Sequence, residues 1–267
     1  MTGTAAARRL VGVGVGPGDP ELVTIKAVRV LSSAGLVLVP VMAGAAAGEP
    51  GRAEATVRAH IDGARIRRVP FALSERGGLT PGRRAAWSAA AHAVAAAFGA
   101  GTATVAFATI GDPNIYSTFS YLAQTVRGLV PDVTIDTVPG ITAMQDLASR
   151  AGTVLAEGSE SLVLLPLRGG AAGPEAPLGA LREALDHHDT VVAYKLGGIA
   201  AAATDIPALL AALKESGRLD GAVYGARLGL PGEDIRPARE LSGLTGVPYL
   251  ATLIAPGRRT RTGSRLR

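Results

Sequence analysis

Cysteine is absent from the 267 residues, which excludes disulfides, thiolate metal sites and a cysteine nucleophile together and fits a reducing compartment, the cytoplasm. The chain also lacks a G-x-S-x-G nucleophile elbow, an H-E-x-x-H zinc motif and any clustered metal ligands, so no metal site is expected. Long apolar runs are missing too. Residues 1–9 do not form a signal peptide, and the alanine-rich stretch 85–108 is broken by Gly99 and Gly101, so no segment reads as membrane-spanning. Acid is missing only locally. The last ten residues, RRTRTGSRLR, carry five arginines and no carboxylate, which leaves residues 1–257 with zero net charge out of a total of +5. The basic pI is a tail effect, and a neutral body argues against a nucleic-acid surface. Lysine is scarce, three against 24 arginines, a bias of base composition from which no function is drawn. No repeat of solenoid period is present.

An apolar strand running into a glycine-rich turn stands out at residues 10–24, LVGVGVGPGDPELVT. It fits neither common nucleotide fingerprint. The third glycine of G-x-G-x-x-G is replaced by Pro17 or Asp19 in the two possible registers, and the Gly-Lys-Ser/Thr of a P-loop is absent. Pro17 has no N–H, and Asp19 puts a carboxylate where a phosphate needs donors. The turn suits a bulky uncharged or cationic ligand.

Short apolar strands alternate with helices along the chain. The first strand candidates are residues 10–15, 36–40, 66–69, 104–108 and 133–138. A second series lies at 161–165, 190–194, 221–224 and 248–254. Helices are expected at 22–32, 81–98, 118–126, 178–185 and 206–215. This is βαβ logic, and the length suits two small domains. The expected fold is α/β, two α/β domains with mainly parallel sheets, divided as 1–143 and 144–257, with 258–267 a disordered tail. Residues 42–51 and 168–177 read as mobile surface loops.

Two more turns follow strands at the carboxyl edge where open α/β sheets bind ligands. They are Gly111-Asp112-Pro113 after 104–108, and Pro139-Gly140-Ile141-Thr142-Ala143 after 133–138. Asp112 can accept hydrogen bonds from a ligand or cap the helix that follows; Thr142 can likewise be a cap.

In the order GVGPGDPELVTIKAVRVL, GDPNIYSTFSYL and VPGITAM, these segments resemble the tetrapyrrole methylases, and Tyr116-Ser117-Thr118 with the later VVAYKLGG and YLATLIAP most resemble the branch acting on carbon 20 of precorrin-2 in cobalamin biosynthesis. The resemblance spans almost the whole chain. It implies S-adenosylmethionine as methyl donor, a tetrapyrrole acceptor, an active site in an interdomain cleft, and a homodimer. Matched residue by residue, it implies donor contacts at Pro17, Ile110, Gly111, Asp112, Thr142 and Ala143. Tyr116, Ser117 and Thr118 lie beside that pocket, and Tyr194, Lys195, Leu196 and Ala226 come from the second domain. The segment 42–55 is shorter and richer in glycine and alanine than the family pattern, and Ile110 stands where relatives carry a small or polar residue.

Methyl transfer is an in-line displacement that needs alignment and exclusion of water rather than a covalent catalyst. A proton must leave carbon 20 afterwards, which calls for a base. Asp19 is the candidate, for that or for substrate contact, with turn stabilisation as its alternative. His60, His92, His187 and His188 read as structural. Arginines able to pair with acceptor carboxylates include Arg65, Arg67, Arg68, Arg83, Arg84, Arg150 and Arg227, with nothing to choose among them. The nearest alternative within the resemblance is the same chemistry on cobalt-factor II or another corrin precursor; an RNA methylase of the same superfamily and a non-catalytic binding module are more remote readings, and the neutral body disfavours the RNA methylase.

Overall fold

The computed structural model describes residues 7–42, 50–71, 80–168, 175–198 and 206–259. The chain divides into two compact units, Met1–Thr142 and Ala143–Arg267, with one five-stranded sheet in each.

The first unit runs β1 (Arg9–Gly14), α1 (Ile25–Ser33), β2 (Leu36–Met42), α2 (Arg52–Arg58), β3 (Ile66–Phe71), α3 (Pro81–Gly99), β4 (Thr104–Thr109), α4 (Phe119–Leu129) and β5 (Thr134–Val138). Its strands lie in the order β3-β2-β4-β1-β5, every pairing parallel. Leu10, Val105 and Phe107 pack on one face with Trp87 of α3 and Leu122 of α4. Val11, Val13, Ala106 and Ala108 pack on the other with Leu31 of α1 and Val57 of α2. A sheet covered on both sides needs apolar residues at every position, which is why these strands read as unbroken runs. Helix starts follow capping rules. Thr24 accepts the Ala27 N–H at 3.1 Å, and Thr80 accepts that of Arg83 at 3.2 Å with Pro81 in the first turn.

The second unit runs α5 (Ala143–Ala151), β6 (Leu162–Arg168), α6 (Glu175–His187), β7 (Thr190–Gly198), α7 (Ile206–Glu215), β8 (Val223–Ala226), β9 (Asp234–Pro237) and β10 (Thr252–Ala255). Here the expectation of a mainly parallel sheet is corrected. In the order β6-β7-β10-β8-β9 only β6–β7 is parallel, and the other pairings are antiparallel. The physical reason is connection length: β8 and β9 are joined by residues 227–233, with Gly229 and Gly232 at positive φ, which suffices for a hairpin and is too short for a parallel crossover. Leu181, Leu209, Tyr224 and Leu253 build the core on one face, and α5 covers the other through Met144 and Leu147 against Val192 and Ile254.

Of the two stretches read as loops, residues 43–49 and 169–174 lie outside the described residues, and α6 already begins at Glu175. Residues 260–267 also lie outside. At the start of the segment expected as a tail, Arg259 is half-buried. Its Nε donates to Glu160 Oε1 at 2.7 Å and its Nη1 to the Val154 carbonyl at 2.9 Å.

Candidate active site

Strands β4, β1 and β5 are neighbours, so the turns after them meet at one carboxyl edge of the first sheet. The Gly111 N–H donates to the Gly16 carbonyl at 2.8 Å. Asp112 is buried; its Oδ1 accepts the Asn114 N–H at 2.8 Å and its Oδ2 the Gly140 N–H at 3.0 Å. It does not cap the next helix, which starts at Phe119. It ties two turns together instead. The backbones approach so closely that a Cβ on Gly140 would stand 2.1 Å from the Gly111 oxygen, and one on Gly14 2.5 Å from the same atom. Gly16 and Gly111 hold φ of 76° and 70°, a region that favours glycine. Residues 16–19, 110–113 and 139–142 include no cationic side chain, so this edge is built for a neutral or positive ligand.

Asp19 Oδ1 accepts the Glu21 N–H at 2.8 Å and caps the short turn Pro20–Leu22. Sequence reasoning missed what steadies this turn. The Thr56 hydroxyl of α2 donates to the Gly18 carbonyl at 3.2 Å, and just past the end of that helix His60 Nε2 bonds the Pro20 carbonyl at 2.9 Å. The helix itself is pinned by Glu54, fully buried between Arg58 and Arg68, each with a nitrogen 2.7 Å from the carboxylate. Burial would raise the Glu54 carboxyl, but the hydrogen bonds and charges of Arg68 and Arg58 outweigh it and hold it below its ordinary value. The Glu54–Arg58 spacing of four was the available signal.

The other expected residues fall as follows. Pro17 is buried, Ile110 half-buried and Thr142 buried, with Ala143 opening α5. Ser117 donates to Thr109 Oγ1 at 3.2 Å and accepts the Phe119 N–H at 3.1 Å, starting α4; Thr118 is half-buried beside it. In the second unit, the Tyr194 hydroxyl accepts the Met144 N–H at 3.2 Å at the start of α5. Leu196 is buried, and its N–H donates to the Ala251 carbonyl at 3.3 Å. Ala226 is buried at the end of β8. Thr252 pairs with both Tyr194 and Gly225, and its buried hydroxyl has no hydrogen-bond partner among the described residues. Sequence reasoning missed it, since a threonine in an apolar strand carries no distinguishing mark. Among the described residues, the non-glycine positions at positive φ are Tyr116, Lys195 and Arg227, at 50°, 62° and 53°. All three lie in or beside segments singled out from the sequence.

Three of the four histidines bond backbone carbonyls. His60 braces the turn, while His92 and His187 bond the Ser88 and Glu183 carbonyls at 2.8 and 2.9 Å within their helices. Among the arginines, Arg65 is held by the Ser32 carbonyl, Arg68 by Glu54, and Arg150 by Asp146 and Glu233. Among the described residues no helix is long and apolar enough to cross a membrane, and no cluster of three metal-ligating side chains occurs.

The model of the tetrapyrrole (corrin/porphyrin) methylase family matches residues 9–241. The chain is 32% identical over 260 residues to a precorrin-2 C(20)-methyltransferase of Sinorhizobium sp., covering 95% of this chain and 97% of the relative. It is equally 32% identical over 248 residues to a cobalt-precorrin-2 C(20)-methyltransferase of Salmonella typhimurium, covering 92% and 95%. Among solved structures, a cobalt precorrin-4 methyltransferase superposes with a TM-score of 0.63 at 20% identity, covering 93% of this chain and 94% of the other. A Thermus thermophilus uroporphyrin-III C-methyltransferase complexed with S-adenosyl homocysteine superposes with a TM-score of 0.59 at 22% identity, covering 93% and 97%. With turns, order and most of its length matching, the chain belongs to the tetrapyrrole (corrin/porphyrin) methylases.

Proposed function

We propose that the protein transfers a methyl group from S-adenosylmethionine to carbon 20 of precorrin-2, giving precorrin-3A in cobalamin biosynthesis, as a cytoplasmic homodimer. The observation that carries this is the carboxyl edge of β4, β1 and β5. Asp112 ties two of its three turns, the Gly111 N–H to Gly16 carbonyl bond holds the third, and none carries a cationic side chain, the surroundings a sulfonium needs. When bound, the donor supplies a methyl group on positively charged sulfur; the C–S bond breaks as the new C–C bond forms, and the charge disappears.

The residues do the rest. Pro17, Ile110, Gly111, Asp112, Thr142 and Ala143 present backbone and apolar surface to the donor, with Tyr116, Ser117 and Thr118 beside them. From the second unit, Tyr194, Lys195, Leu196 and Ala226 contact it, and the unpartnered Thr252 hydroxyl offers a polar group to a ligand. Asp19 spends one oxygen on the Glu21 N–H and keeps the other to take the proton released at carbon 20.

Anaerobic incubation with methyl-labelled donor and precorrin-2, read by mass spectrometry and NMR of the pigment, tests the reading. One added methyl at carbon 20 supports it, and absence of transfer rejects it. The equal identity to the Salmonella cobalt-precorrin-2 enzyme favours a second acceptor, the cobalt-bearing ring, and the ratio of rates on the two acceptors decides between them. Light scattering on the purified protein checks the dimer.

A further inference from the structure

Lys195 and Arg227 sit at one edge of the second sheet. Tyr194 and Gly225 are both paired with Thr252 of β10, so Lys195, one residue further along β7, and Arg227, two residues further and just past the end of β8, lie toward the same end of the sheet with β10 between their strands, about 10 Å across at ordinary strand spacing. Both cations occupy the left-handed backbone region, at φ of 62° and 53°. Side chains other than glycine or asparagine avoid it, and strain of this kind persists where the side chain has a task. Arg227 is exposed and reaches over the β8–β9 hairpin, with Nη1 2.7 Å from where a Cβ of Gly232 would stand. The hairpin's acids are already committed. Glu233 holds Arg150 and accepts the Gly229 N–H at 2.6 Å, and Asp234 accepts from Arg236 Nε at 2.6 Å.

We propose that Arg227 is an acceptor-binding residue, its planar guanidinium receiving a carboxylate arm of the polycarboxylate ring beside Lys195, the residue assigned above to the donor. This rests on the corrin-precursor reading above. The backbone strain and the lack of an acid partner for the guanidinium among the described residues go together: the chain keeps an arginine where glycine would be easier because the charge is needed by a ligand.

The test is Arg227→Gly against Arg227→Lys. For Arg227→Gly, Tm is expected to hold or to rise by up to about 3 °C as strain is released, while KM for the acceptor rises about tenfold, the loss of one charge-assisted contact, and KM for the donor stays put. Arg227→Lys keeps the charge and recovers part of the acceptor KM. A purely structural arginine gives the opposite pattern, a lower Tm with both KM values moving together, and that result overturns the proposal. Binding of uroporphyrin, a non-reactive octacarboxylate followed by its own fluorescence, needs no turnover. If the wild type fails to methylate precorrin-2 the functional reading falls, yet weaker uroporphyrin binding by Arg227→Gly still supports the role of Arg227. Equal binding by the two proteins, or none by the wild type, rejects it.

Discussion

Asp112 and Gly140, 28 residues apart, are joined by a carboxylate oxygen accepting a backbone N–H at 3.0 Å, which ties the turn after β4 directly to the turn after β5. Asp112→Ala leaves the Gly140 N–H without its partner. A loss of about 1–3 kcal/mol in stability is expected, together with weaker binding of S-adenosylhomocysteine. Urea unfolding and titration calorimetry check the two effects; unchanged affinity would show that the tie does not shape the donor site.

Gly140→Ala places a methyl 2.1 Å from the Gly111 oxygen, and backbone cannot step aside as a flexible side chain does. Methyl transfer is expected to be lost and Tm to fall. Gly128→Ala is the contrast, since nothing lies within 4 Å of a Cβ there. In α4 it is expected to add about 0.5–1 kcal/mol and leave kinetics alone.

Acid should loosen the brace behind Asp19. The Glu54 carboxyl is held below its ordinary 4.5, so its pairing with Arg58 and Arg68 contributes fully above about 4.5 and is lost as pH falls through the lower folded value. Glu54→Gln is expected to cost about 2 kcal/mol at pH 7, less than a fully buried pair because both arginines are partly exposed. The deficit against wild type should shrink in acid. Denaturant melts at pH 7 and near pH 3 measure it, and a gap that stays constant would sink the assignment.

Tyr194→Phe removes the acceptor of the Met144 N–H at the start of α5. A loss of about 1 kcal/mol is expected, with a higher KM for the donor and little change in acceptor KM, measured by steady-state methyl transfer.

The first sheet was legible because a strand buried on both faces must be apolar throughout, and residues 104–108 or 36–40 have no other reading. β9 was not. Asp234-Ile235-Arg236-Pro237 is a half-exposed edge strand with two charges and a proline, and nothing in it alternates. The α2 segment hid behind the alanine- and glycine-rich residues 43–51 that precede it, since alanine marks a helix and glycine a loop. At the site, spacing identified the three turns through their glycines and prolines. It could not show that Asp112 reaches Gly140, a contact set by strand order rather than by sequence distance. The backbone of Lys195 and Arg227 was invisible for the opposite reason: neither residue type announces a left-handed conformation.

The position of β10 has a consequence for synthesis on the ribosome. All five strands of the first sheet are complete by Val138, so that unit can fold while the remainder is still being translated. In the second sheet β10 lies between β7 and β8, and β7 and β8 have no hydrogen-bonded neighbour in common until residues 252–255 leave the exit tunnel. For that interval the nascent chain carries two unjoined β fragments with open edges, the stage at which pairing with a second chain is least opposed.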